Sequence, residues 1–289
     1  MSTTVTNGAA AGYRPTATLT FASEFMRQWR RRRTQWALGF MVLLPVIILI
    51  AFEIGGEGDD DNGRGTFASI IDVALAGGLN FALFCLFVSS SFLLVVVFAL
   101  FHGDTVASEA SWGSLRYLLA VPVPRGRLLG IKLAVALTYS LMAVAVLVAT
   151  GLLLGTLRYG WHPLASGISA DVPPGEGLLR LLGIAGYFCI SLLVVAGIAF
   201  LLSVLTDAPL GAVGGAVLLF IVSSILDQIT ALGEIRNFLP THFARSYLGL
   251  LTSPVQFDGM VKGTISALCY AALFWGLAFW RFTRKDVTS

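Results

Sequence analysis

Long apolar runs alternate with short charged stretches along all but the first twenty residues of this chain. Six of the runs are long enough for a hydrocarbon core of about 30 Å, which a helix crosses in roughly 20 residues. They predict membrane spans at about 36–53, 81–101, 128–157, 181–205, 209–226 and 263–280. Pro45 predicts a kink in the first. The uncharged run 73–101 is too long for one straight crossing, so its early part, VALAGGLN, reads as lying near the outer surface. Residues 229–262, semi-apolar and punctuated by Pro240 and Pro254, separate the last two spans.

Composition agrees. Hydrophobic residues make up 56% of the 289 and charged residues only 12%, against about 25% charged in a soluble domain. Mean hydropathy is +0.83. The class is all-α integral membrane protein. The net charge of +3 is too small to suggest nucleic acid as a partner.

The placement of Lys and Arg sets the orientation. With both termini, segment 103–132 and the Thr206–Asp207 link on one side, that side carries thirteen Lys and Arg and the other six. The richer side is read as the cytosol, and an even number of spans returns the carboxyl end to it. Arg outnumbers Lys sixteen to three, the bias of a GC-rich bacterial genome, so the expected location is a bacterial plasma membrane.

Residues 1–20 are small and polar and read as a disordered cytosolic tail ahead of one membrane domain, 21–289. Within 21–34, Phe21, Phe25 and Trp29 recur every four residues while Arg27, Arg30 and Arg31 face away. That spacing predicts a basic amphipathic helix in the inner interface; the plainer alternative is a positive-inside anchor.

Chemistry-bearing residues are sparse. Cys85, Cys189 and Cys269 fall in three different spans, and no pair has metal-ligand spacing. His102, His162 and His242 form no HExxH arrangement. Gly126–Lys132, GRLLGIK, has the wrong spacing for a phosphate loop, so no metal or cofactor is expected on this chain. Hydroxyls inside the spans give a candidate substrate path through Ser89, Ser90, Thr138 and Ser223, although such hydroxyls commonly bond their own backbone.

The segment 103–127 stands apart. Asp104 is placed to cap a helix beginning at Thr105. Trp112, Leu115 and Leu119 then fall on one apolar stripe, with Glu109 and Arg116 on a more polar face, and Pro122 and Pro124 stop the helix. The segment reads either as a stiff lever on the membrane surface or as a passive linker.

These residues resemble the first cytosolic loop of ABC-2-type transporter permeases. The pattern D-x4-E-x3-G-[ST]-L-R-x2-L-x2-P-x2-R-x6-K is met by Asp104, Glu109, Gly113, Ser114, Leu115, Arg116, Leu119, Pro122, Arg125 and Lys132. The closing Arg281–Asp286 also resembles that family's cytosolic end. The resemblance implies an ABCG-like membrane fold with an interfacial helix, six spans and an outer re-entrant segment at about 229–262. It implies a coupling helix in 103–127 that docks on a separate ATPase through Asp104, Glu109, Trp112, Gly113, Leu115, Arg116, Leu119, Pro122 and Arg125. ATP and Mg would sit on that ATPase, present in two copies, and a second permease would complete a homo- or heterodimer among membrane lipids. The implied activity is export of an apolar or amphipathic small molecule, peptide antibiotic or lipid. An intramembrane enzyme would need convergent catalytic groups within the spans. A stand-alone secondary transporter would need inverted repeats, or broken helices with buried charge. Neither set is visible in the sequence.

Overall fold

The computed structural model describes residues 19–55, 66–111, 124–165 and 170–284. Among the described residues ten α-helices follow one another: α1 (Phe21–Trp29), α2 (Arg32–Gly55), α3 (Thr66–Leu75), α4 (Gly78–Ser90), α5 (Leu93–Ser111), α6 (Arg125–Tyr159), α7 (Pro174–Ser191), α8 (Leu193–Leu205), α9 (Pro209–Gln228) and α10 (Asp258–Arg284). Two 3₁₀ segments, Thr230–Phe238 and Ser246–Leu251, separate α9 from α10. No strand occurs among the described residues, only a bridge between Leu164 and Val172.

Among the described residues six stretches are long and apolar enough to cross a membrane: Arg32–Ile54, Leu93–Ser111, Arg125–Tyr159, Pro174–Leu205, Pro209–Gln228 and Asp258–Arg284. Five correspond to the expected spans with longer ends. The second is corrected. The run expected at 81–101 is divided by a turn at Ser91–Phe92 into α4 and α5, and α5 continues as helix to Ser111. Asp104 therefore lies inside a helix and caps nothing. A charged residue can continue a buried helix when its charge is matched, and both Asp104 and Glu109 are matched, as described below.

The fourth crossing also has an irregular point, at Leu192 between α7 and α8. Neither interruption contains Gly or Pro. Before the first, Ser89 and Ser90 donate to the carbonyls of Cys85 (2.6 Å) and Phe87 (2.6 Å). Such back-bonding bends helices. Ser91 and Leu192 keep helical torsions, so the helix is interrupted there without unwinding.

α8 is the centre of the bundle. Val194–Phe200 are all buried, because this helix is apolar on every side and packs against α5, α9 and α10. α6 packs against α2 and α4. The α4–α6 crossing is close because small residues meet there. A Cβ on Gly155 would lie 2.8 Å from the Phe81 Cβ and 3.0 Å from the Gly78 backbone, and one on Gly151 would lie 3.2 Å from the Ala82 Cα. The GxxxG pair Gly151–Gly155 makes this contact; Gly211–Gly215 meets mainly the Leu202 side chain.

The starts of α1, α2 and α6 and the ends of α5 and α10 share one face, here the terminal face. Lys132 of α6 reaches Glu24 of α1 at 3.1 Å, and Arg125 donates to the Thr283 carbonyl at 3.2 Å. At the opposite face Arg158, at the end of α6, donates to Glu53, at the end of α2, at 2.6 and 3.0 Å.

Candidate functional site

The end of α5 and the start of α6 flank segment 112–123, and two knots of buried charge join them to α1 and α2. The first is centred on Lys132, 2% exposed. Its ammonium donates to Glu109 Oε1 (2.6 Å), Glu24 Oε1 (3.1 Å) and the Thr105 carbonyl (3.3 Å). Those are all the protons an ammonium has. Arg27 donates to the same two carboxylates, at 2.6 Å to Glu24 and in close contact with Glu109. Glu24 and Glu109 are themselves buried.

The second knot is centred on Asp104, also buried. Arg31 Nη1 donates to its Oδ2 at 2.9 Å, and Arg33 Nη1 to its Oδ1. Arg31 also donates to Ser108 Oγ at 3.2 Å, and that hydroxyl donates to the Asp104 carbonyl at 2.6 Å. Three carboxylates thus face four cations. Taking an ion out of water costs several kcal/mol unless partners and hydrogen bonds compensate, and here the partners come from four different helices.

Electrostatics set the charge states at the interfacial end. Burial raises the Glu24 carboxyl, but Lys132 and Arg27 together outweigh it and hold it below the ordinary carboxylate range. Burial lowers Arg27, and Glu109 and Glu24 more than reverse that. Both groups are charged at neutral pH.

Two further ties stiffen the joint. Tyr139 of α6 donates to the Phe25 carbonyl at 2.8 Å, and the two rings stack at 4.7 Å. Ser203 of α8 accepts from the backbone N–H groups of Val106 (2.9 Å) and Ala107 (3.0 Å), pinning the last turns of α5 to the central helix. Val106, Leu128, Leu129, Phe200, Val204, Ala278 and Phe282 form an apolar cluster that joins α5, α6, α8 and α10.

The interfacial helix needs a correction. α1 forms, capped by Thr20, which accepts from the Ser23 N–H at 3.3 Å. Of the arginines expected to face away, Arg27 in α1 and Arg31 just after it turn inward to Glu109 and Asp104. The exposed ridge is apolar: Phe21, Met26 and Trp29.

A second site lies toward the opposite face, a cleft of about 580 Å³. Both helix interruptions border it, with Ser90, Ser91, Ser191 and Leu192 in its wall beside Phe87 and Phe220. Asp227, Gln228, His242 and Arg245 supply its polar end. His242 Nδ1 lies 2.6 Å from Asp227 Oδ1. Tyr187 donates to the Phe243 carbonyl at 2.6 Å, and Ser223 shares a hydrogen with Thr241 at 2.9 Å, so segment 239–251 is tied to α7 and α9.

Of the residues singled out for coupling, Asp104 and Glu109 are brought together with Lys132 in the charged knots. Arg125 is half-buried at the start of α6. Trp112, Gly113, Leu115, Arg116, Leu119 and Pro122 lie outside the described residues. Of the candidate path residues only Ser90 lines the cleft. Ser89 is buried on its own helix, Thr138 is bonded to the Ala134 carbonyl, and Ser223 is occupied by Thr241. The sequence reading missed Glu24, Arg27, Arg31, Arg33 and Ser203. One signal was present: Glu24 sits on the Phe21–Phe25 side of α1, and a lone carboxylate on an apolar ridge calls for a buried cation.

Six apolar crossings, one of them running through the largely apolar central helix α8, with most charge near the ends, define a polytopic helical membrane protein. No curated protein matches the chain. Residues 42–288 match the family described as "Protein of unknown function (DUF2705)", and the chain belongs to that family.

Proposed function

We propose that this protein is the membrane subunit of an ATP-driven exporter of the ABC-2 type, with both termini in the cytosol of a bacterium. A separate ATPase, present in two copies, hydrolyses ATP with its Mg and docks on segment 112–123; a second permease completes the transporter. The ATPase pair closes, draws the two docked segments together, and the motion passes through α5 and α6 into the spans. The ligand site alternates between the two sides. This chain holds no nucleotide and performs no chemistry.

One observation supports the reading best. Asp104, Glu109 and Lys132, charged positions of the permease-like pattern that flank segment 112–123, are the ions that lock α5 and α6 to α1 and to the start of α2. A lever transmits motion only if its root is stiff, and ion pairs built on buried carboxylates resist sliding because any displacement leaves a buried charge uncompensated. The cleft of about 580 Å³, walled by Phe87, Phe188 and Phe220 and polar at one end, fits an amphipathic cargo.

The test is isolation of the chain from its native membrane in mild detergent. The expected result is a co-purifying ATPase that carries a phosphate loop, in stoichiometric amount. A chain that purifies alone and still moves cargo in vesicles without ATP overturns the proposal. One observation favours a second reading, a stand-alone secondary transporter: the Asp227–His242 pair beside the cleft is the kind of titratable pair a proton-coupled carrier uses. Transport abolished by a proton ionophore, and indifferent to ATP, selects that reading.

A further inference from the structure

α2 and α5 leave a groove of about 450 Å³ between them. It is lined by Arg32, Arg33, Trp36 and Phe40 on one side and by Val96 and Leu100 among the residues of the other. Apart from the two arginines its walls are apolar. Both arginines sit at the terminal face, where α2 begins. From Arg32 to Phe40 the helix rises about 12 Å at 1.5 Å per residue, close to the half-thickness of about 15 Å that one leaflet's acyl chains occupy.

The charge at the mouth of the groove is unbalanced. Arg31 and Arg33 share the single carboxylate of Asp104. Arg32 is exposed and has no ion pair or hydrogen bond among the described residues. Three guanidinium groups therefore face one carboxylate. Trp36 is 70% exposed one turn deeper, at the depth where an indole bridges headgroup and acyl chain.

We propose that this groove is a binding site for a phospholipid of net negative charge. One acyl chain lies against Trp36, Phe40, Val96 and Leu100, and the phosphodiester is held by Arg32 and the outer edge of Arg33. Charge complementarity selects this occupant. A zwitterionic lipid would bring its own cation to a mouth that already has two in excess, whereas an anionic one neutralises part of that excess. The site also has a consequence for the joint described above, because Arg33 is the residue that ties α2 to Asp104. A headgroup on the free side of that guanidinium fixes its rotamer and braces the second knot. The inference depends only on the chain spanning a bilayer and is independent of its role in transport.

The experiment is native mass spectrometry of the full chain, titrated with phosphatidylglycerol and with phosphatidylcholine of identical acyl chains. The expected result is preferential retention of phosphatidylglycerol. In Arg32→Gln that retention falls roughly fivefold, the factor one surface arginine contributes toward anionic lipid. Arg32 makes no contact that folding needs, so the variant reads binding. Val96→Phe, which fills the groove and leaves every arginine in place, also lowers retention. Arg30→Gln, which removes an exposed charge outside the groove, does not. Glycerol 3-phosphate, the headgroup chemistry without chains, does not displace the bound lipid. Equal retention of the two lipids by the unaltered protein overturns the proposal. So does a loss in Arg30→Gln as large as that in Arg32→Gln, or an unchanged preference in both Arg32→Gln and Val96→Phe.

Discussion

Lys132 donates to Glu109 across 2.6 Å, joining the first turns of α6 to the last turns of α5 from opposite ends of a segment that would otherwise separate them. Both side chains are no more than 3% exposed. The pair is therefore a structural fastener, and its contribution can be measured. Lys132→Met takes from Glu109 and Glu24 the cation they share with Arg27, and Glu109→Gln removes one of the two carboxylates Lys132 bonds. Each change is expected to destabilise the protein by about 3 kcal/mol. The double variant, which removes both charges, is expected to cost less than the sum of the two. Unfolding in mixed micelles, run as a double-mutant cycle, checks this.

The same knot predicts an acid limit. Glu24 is held below its ordinary value of 4.5 by its cationic partners. A carboxylate depressed on folding contributes its stabilisation in full above the unfolded value and loses it as pH falls through the folded one. Amide exchange of residues 21–29 should therefore be flat from neutral pH down to about 4.5 and rise, after correction for intrinsic rates, below it. In Glu24→Gln the protection should be lower at neutral pH and should show no such step.

The α4–α6 crossing gives a prediction free of charge. Gly155→Ala would place a methyl 2.8 Å from the Phe81 Cβ, and the resulting overpacking is expected to cost about 1–3 kcal/mol. Gly186→Ala, where nothing lies within 4 Å, should be neutral or stabilising by about 0.5–1 kcal/mol through helix propensity. Thermal unfolding of the two variants in the same detergent separates close approach from a general intolerance of change.

Segment 239–251 is fastened by side chains of α7 and α9. Tyr187→Phe removes the donor to the Phe243 carbonyl, and Ser223→Ala the partner of Thr241. Each loss should cost about 1 kcal/mol and raise amide exchange in 239–251 while leaving α1 and α2 unchanged. If the exchange pattern of 239–251 is insensitive to both, the segment is held by apolar packing alone.

The apolar runs made the crossings legible, because length and hydropathy are local properties. Five of the six appear where the sequence puts them. The second does not, since its boundary depends on distant partners. α5 carries Asp104 and Glu109 within the helix only because Arg31, 73 residues away, and Arg27, 82 residues away, neutralise them. No local rule supplies those pairings. The interruptions at Ser91 and Leu192 were hidden for a different reason: no Gly or Pro marks them, and before the first the Ser89 and Ser90 hydroxyls compete for backbone carbonyls. The inward turn of Arg27 and Arg31 follows from the same long-range pairing, which outweighs the helical periodicity that would place them in water.

This geometry also changes which variants report on coupling. Glu109→Lys sets a new cation against Lys132 and Arg27, so a loss of transport there reflects a damaged fold. A glycine-rich replacement of 112–116 spares the buried knots and alters only the segment proposed to meet the ATPase.

The most direct measurement is therefore cargo moved per ATP hydrolysed, in vesicles that contain the chain and its co-purified ATPase, with and without the 112–116 replacement. The account predicts that the altered protein inserts, keeps the unfolding transition of the parent, and lets ATP hydrolysis continue while cargo transport falls to background. Transport per ATP equal to that of the parent protein would contradict it.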